Sequence, residues 1–231
     1  MRCPLFKPLL LALCLTTSFS RSAAWGVQAA PQDGSQREAA RLAAIKAGMV
    51  VNFLRYTSWP ASAFKDSGQR LAPIIITLAG DTGLAEALSD AVRDVRIDGR
   101  EVEVRRVAFP LPHRGEAAPR QSDIDAYHAT LADAHLVFFG HSEHTRFERA
   151  LAALGPRDVL TVSDIQGFAP AGGMLELTIR EKRVAFDANE EAVRATAVKL
   201  SSRLLKLARI VKPRSPAPAR ETPDTPREGS R

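Results

Sequence analysis

The stretch Leu136-Val137-Phe138-Phe139-Gly140-His141-Ser142 carries four apolar residues in unbroken succession and then breaks off at glycine and polar residues. A strand with one wet face alternates apolar and polar side chains. A run without alternation therefore belongs to a sheet covered on both faces, the usual situation of parallel strands. Outward from it, Asp123–Ala132 reads as a short helix on one side and Thr145–Leu154 as a helix on the other. Further strands are expected at Ile74–Leu78, Val102–Val107 and Val159–Val162, with a helix opened by Gly80-Asp81 and running to about Val95. Strands separated by helices need crossover connections, so the expected class is α/β, a layered and mostly parallel sheet flanked by helices.

The flanks depart from this alternation. Ala40, Ala44, Ala47, Val51 and Leu54 recur at four-three spacing, which predicts an amphipathic first helix. Trp59-Pro60 stops it, because proline disfavours helical geometry in the residue before it. In the last third, Leu175, Leu177 and Ile179 alternate with Glu176, Thr178 and Arg180, and Val184 and Phe186 resume the apolar side after a turn at Glu181-Lys182. That pattern predicts a C-terminal antiparallel hairpin. Asn189 then caps a long final helix, with Val193, Ala197, Leu200, Leu204, Leu207 and Val211 along one face.

Both ends read as separate from the domain. Arg2 and Lys7 precede an apolar run from Leu9 to Leu15, and small residues follow at Ser22, Ala23 and Ala24, the layout of a secretory signal peptide over residues 1–24. The run is well short of the roughly 20 residues a bilayer requires, so no direct membrane span is expected. Residues 25–36 are expected to be a flexible N-terminal segment, 37–212 the folded α/β domain and 213–231 a disordered proline-rich tail. Both cysteines, Cys3 and Cys14, fall in the leader, which excludes disulfides and cysteine chemistry from the exported chain. Of the net charge of +6, three units lie in residues 1–24 and two in 212–231. The domain itself is near neutral, and a nucleic-acid partner is not inferred.

Motifs for catalysis are incomplete. Gly140-His141-Ser142-Glu143-His144 follows a strand and nearly matches the nucleophile elbow G-x-S-x-G, but His144 stands where the last glycine is needed. It is also the last histidine of the chain, too near Ser142 to reach its hydroxyl from a separate loop. His135, His141 and His144 lack the further ligands of a recognisable metal site. No cofactor is expected, since neither a dinucleotide fingerprint nor a phosphate loop occurs. What the fold class does offer is a crevice beyond the carboxyl ends of the strands. Its candidate residues are Asp81, His141, Ser142, Glu143, Ser163 and Asp164; of these Asp81, Ser142 and Ser163 are equally suited to capping helices.

A set of residues together resembles a known family. Asn52-Phe53-x-Arg55-Tyr56-x-x-Trp59-Pro60, Val159-Leu160-Thr161-Val162-Ser163-Asp164, Gly167-Phe168 before Gly172-Gly173-Met174, Phe186 with Asn189, and Ser201-Ser202-x-Leu204-Leu205 are similar in order and spacing to the YfiR/HmsC family. The resemblance spans about residues 38–211. It implies a periplasmic repressor that binds the periplasmic sensory domain of an inner-membrane diguanylate cyclase and so limits cyclic di-GMP signalling and biofilm formation, a regulator and not an enzyme. Dimerisation, as a homodimer, is a further implication. Disulfide-linked behaviour seen in the family has no counterpart in a cysteine-free domain. Arg55, Tyr56 and Trp59 are the candidate partner contacts, as aromatics and arginine are common interface anchors, while Trp59 could equally fold back onto the core. Two other classes stay open: a periplasmic small-molecule binding or sensing protein using the crevice, and a hydrolase centred on Ser142.

Overall fold

Sixteen α-helices and strands are found among the described residues, most of them short. In chain order they are α1 (Gly34–Arg55), β1 (Thr57–Ser58), β2 (Ile74–Ala79), α2 (Ala85–Val92), β3 (Arg96–Ile97), β4 (Arg100–Val107), α3 (Gln121–Ala132), β5 (Leu136–Phe139), α4 (Phe147–Leu154), β6 (Leu160–Ser163), β7 (Leu175–Arg180), β8 (Arg183–Ala188), α5 (Glu190–Arg194), β9 (Lys199–Leu200), α6 (Ser202–Leu205) and β10 (Arg209–Ile210). The structure, a computed structural model, describes residues 34–68 and 70–214. The expected signal peptide over 1–24 lies outside the described residues.

Eight strands form one curled sheet in the order β10-β8-β7-β6-β5-β2-β4-β3. Neighbours from β4 to β7 pair in parallel, and β5 sits near the middle with all four side chains buried. Alternate residues of the central strands fill two apolar layers. Ile74, Ile76, Leu78, Leu136 and Phe138 face α1 and α2, while Ala79, Val137 and Phe139 face α3 and α4. Burying both faces is what allows β5 to be apolar throughout.

β7 and β8 pair antiparallel through a turn in which Glu181 and Lys182 both take positive φ. Here the alternation misleads on one point. Glu176, on the expected polar side, is buried, and Ile179, on the apolar side, is 59% exposed. The cause is that β7 meets β6 only at Leu175 and Glu176 and then runs clear of it. Glu176 is held by the N–H groups of Gly167 and Ala169, at 3.1 and 3.0 Å, where the loop before the hairpin folds over it.

The long final helix does not form. Asn189 does cap a helix, accepting the Ala192 N–H at 3.1 Å, but α5 ends at Arg194. The Thr196 hydroxyl turns back to the Val193 carbonyl, and Asp158 takes the Ala197 N–H at 2.8 Å. The chain then pairs with β1 (Thr57↔Leu200), is recapped by Ser201 into α6, and joins the sheet edge as β10. Leu207, expected on the buried stripe, is 75% exposed. Tertiary hydrogen bonds thus override the helical periodicity, and only Val193 and Leu204 of the predicted stripe are buried. Three smaller corrections belong with it. Gly34–Gln36, expected to be flexible, open α1; the second helix starts only at Ala85; and Asp98-Gly99 makes an unexpected two-residue hairpin between β3 and β4. Of the expected disordered tail, Pro213 and Arg214 are placed, with the Arg214 N–H donated to the Pro170 carbonyl, and 215–231 lie outside the described residues.

Candidate functional site

The carboxyl ends of β2 and β5 meet at the point where the chain, having added β4 on one side of β2, returns to the other. In open α/β sheets that switch point is where a crevice forms. Here it is closed. The Asp81 N–H donates to Ser142 Oγ at 2.9 Å, and a Cβ on Gly140 would stand 2.3 Å from the Asp81 carbonyl oxygen. Only glycine permits that approach. The open volume lies to one side, a cleft of about 590 Å3 bounded by Gly80, Asp81, Thr82, Glu86, Arg106 and Val107.

The six crevice candidates therefore do not converge on one cavity. Asp81 is exposed in the cleft beside β4, and Ser142 serves the Asp81 loop. His141 is an exposed surface residue stacked on His144 at 5.4 Å. Glu143 is 1% exposed and buried in a network of its own. It accepts the Tyr127 hydroxyl at 3.1 Å and pairs with Arg146 at 3.0 Å, whose guanidinium lies 4.7 Å from the Phe109 ring centre. Burial first, and then the Glu143 charge, push the Tyr127 phenol well above its ordinary value. Ser163 is fully buried, donating to the Phe139 carbonyl at 2.8 Å and accepting the Ile165 N–H at 2.9 Å. Asp164 pairs with Lys46 of α1 at 2.5 Å, on the edge of a separate hollow of about 290 Å3. These polar groups chiefly tie loops to strand ends.

Nothing here assembles a nucleophile with its base. Ser142 Oγ accepts a backbone N–H, and His144 Nδ1 lies 3.1 Å from the His141 carbonyl in its own turn. Among the described residues no three His, Cys, Asp or Glu side chains come together to hold a metal ion. No helix among them is long and apolar enough to cross a membrane.

The exit of α1 is organised differently. Trp59 is turned inward, packing against the core, and its Nε1–H donates to the His135 carbonyl at 3.0 Å. His135 Nδ1 accepts the Ile75 N–H at 3.0 Å, Phe64 stacks on the imidazole at 4.6 Å, and Arg100 covers the other face of Phe64 at 3.7 Å. Arg100 in turn grips Asp66 through two hydrogen bonds, which hold the Asp66 carboxyl down at about 2. Sequence reasoning missed this stack of alternating aromatic and cationic groups, since its members are scattered from 59 to 135. The Trp59-Pro60 stop was its one visible sign.

Arg55 and Tyr56 stay outside that stack. Both are exposed, and the Tyr56 carbonyl accepts the Ser201 N–H at 2.8 Å, which sets them beside the C-terminal segment. In that segment opens a groove of about 400 Å3 lined by Val193, Val198, Leu200 and Leu205, with Lys199 and the Arg194–Glu190 ion pair also on its walls. Arg203 and Lys206 of the neighbouring α6 region add exposed or half-exposed positive charge.

The chain matches the YfiR/HmsC-like family over residues 43–209, nearly all of the described domain, and it belongs to that family. Members are periplasmic regulators of diguanylate cyclases and not catalysts. No curated protein matches the chain.

Proposed function

We propose that this protein represses a membrane-bound diguanylate cyclase by binding its periplasmic sensory domain, and so limits cyclic di-GMP production and biofilm formation. The observation that carries the reading is family membership across residues 43–209. The geometry supplies a contact surface consistent with it: Arg55 and Tyr56 are exposed near the C-terminal segment that holds an apolar groove, whereas Trp59 is engaged internally. Such a surface suits a partner segment with apolar side chains and an acidic group for Arg55. The crevice-binding alternative has weaker support, because the switch point is filled by Asp81 and Ser142. The Ser142 hydrolase has none from the geometry.

Arg55→Ala tests the reading. An arginine at an interface centre costs a few kcal/mol of binding when truncated, while an exposed helix-end arginine contributes under about 0.5 kcal/mol to stability. The expected outcome is an unchanged melting temperature with affinity for the cyclase's periplasmic domain reduced at least tenfold, read by calorimetric titration. Native affinity in Arg55→Ala and in Tyr56→Ala would remove this surface from the interface.

A further inference from the structure

Residues 199–214 carry six basic side chains, Lys199, Arg203, Lys206, Arg209, Lys212 and Arg214, and no acidic one. In one long helix these cations would gather toward the C-terminal end, where the helix dipole favours them. The chain folds otherwise, and that compensation is lost. Arg209 finds a carboxylate, bonding Asp187, which Arg180 also holds. The other acidic groups of the adjoining elements are engaged elsewhere, Glu190 by Arg194 and Asp158 by the Ala197 N–H, which leaves Glu191, exposed on α5. Lys199, Arg203, Lys206 and Lys212 are exposed and make no ion pair among the described residues. Apolar side chains stand among them. The Lys206 N–H bonds the Ser202 carbonyl and the Leu207 N–H the Leu204 carbonyl, so the turn of α6 continues through Leu207. Leu204, Leu205 and Ala208 pack on the core, while Arg203, Lys206 and Leu207, at i, i+3 and i+4, share the outward face. Leu207 is 75% exposed there, and Ile210 is 47% exposed on β10, the last strand at that edge of the sheet.

We propose that the segment 203–212 adsorbs to an anionic phospholipid surface, its free cations meeting the lipid phosphates and Leu207 and Ile210 entering between the headgroups. Charge complementarity names the occupant. A run of unpaired cations with no interleaved acid suits a surface of diffuse negative charge, and each Lys or Arg brought close to such a leaflet strengthens binding roughly fivefold. The apolar contribution is of the matching kind. Leu207 stands bare between Arg203 and Lys206, and long basic stems flanking an exposed aliphatic tip are what settles at a headgroup boundary, the stems lying along apolar surface and the charges staying in the polar layer. Neither contribution is large alone, so the adsorption is reversible and needs both. A periplasmic regulator of diguanylate cyclases works within reach of a membrane surface. The inference goes beyond the Arg55 surface and does not depend on it.

The test is flotation of the purified protein with lipid vesicles. The native protein is expected to float with vesicles of equal parts phosphatidylglycerol and phosphatidylcholine, not with phosphatidylcholine alone, and less as salt is added. Lys206→Ala lowers the partition coefficient roughly fivefold, and Arg203→Ala, Lys206→Ala and Lys212→Ala together lower it on the order of a hundredfold. Leu207→Ser lowers it as well while leaving the salt dependence as it was. All these side chains are exposed, so the melting temperature stays native. Ending the chain after Arg214 keeps the binding, and Arg55→Ala floats as the native protein does, which separates this result from the cyclase reading. Equal binding to both vesicles, native binding by the triple variant, or binding lost on ending the chain after Arg214 would each overturn the proposal. Full displacement by millimolar inorganic phosphate would also overturn it, since the cations would then form a site for a free anion. So would a native protein that ignores vesicles but whose triple variant no longer binds the cyclase's periplasmic domain, for the cations would then serve that protein.

Discussion

Lowering the pH from 7.5 to 5.5 is expected to destabilise the protein through His135. The side chain is buried, and its Nδ1 accepts the Ile75 N–H at 3.0 Å, so the neutral ring is the one the fold accommodates. Burial is the largest influence, holding the imidazole below its ordinary 6.5. The Ala63 backbone and Asp133 oppose this, while Arg100 and Lys65 reinforce it. An unfolded chain takes up a proton at this residue where the folded one does not. Stability is therefore full above 6.5 and declines as the pH falls below it, until the folded value is reached. The linkage slope is about 1.4 kcal/mol per pH unit, which limits the loss between pH 7.5 and 5.5 to about 1.4 kcal/mol. In a chain of this size that corresponds to roughly 3–6 °C in melting temperature. The assay is thermal unfolding followed by circular dichroism at both pH values, for the native protein and for His135→Asn, whose side-chain oxygen stands where Nδ1 does to accept the Ile75 N–H but does not titrate. The native protein should lose more than the variant on acidification. Equal losses would refute the assignment of the effect to His135.

Three further outcomes follow from packing and hydrogen bonding. Gly173→Ala puts a Cβ 2.1 Å from the fully buried Phe168 ring, which should cost about 1–3 kcal/mol by urea titration. Tyr127→Phe removes the hydroxyl donated to the buried Glu143 carboxylate, and a loss of about 1.5–3 kcal/mol is expected from a bond to a charged group. Ending the chain after Lys212 removes the Arg214 N–H bonded to Pro170; cooperative unfolding should persist with a loss of about 0.5–1.5 kcal/mol, and a non-cooperative transition would contradict it.

The parallel sheet was legible because its signal is local. Leu136–Phe139 needs apolar cover on both faces whatever surrounds it, and it occupies the middle of the sheet. The apolar spacing over 189–211 suits a helix, but the backbone there is bonded instead to partners far away in sequence. Thr57, Asp158 and Tyr56 supply those partners, and none is visible from residues 189–211 alone. Asp98-Gly99, by contrast, was a readable hairpin signal between two short strands. At the candidate site, sequence placed Asp81, Ser142 and Ser163 at strand ends, where they lie, but not their spending on Asp81–Ser142 and Ser163–Phe139 hydrogen bonds. The direction of Trp59 was open for a similar reason. Its partner, the His135 carbonyl, is 76 residues away.

The central claim, that the protein acts by restraining a diguanylate cyclase, is tested most directly by cellular cyclic di-GMP. It should rise in cells lacking the protein, return to its former level when the native chain is supplied, and stay high with Arg55→Ala exported in equal amount and melting at the same temperature. Cyclic di-GMP that is unchanged by complete removal of the protein, across several growth conditions, would contradict the account.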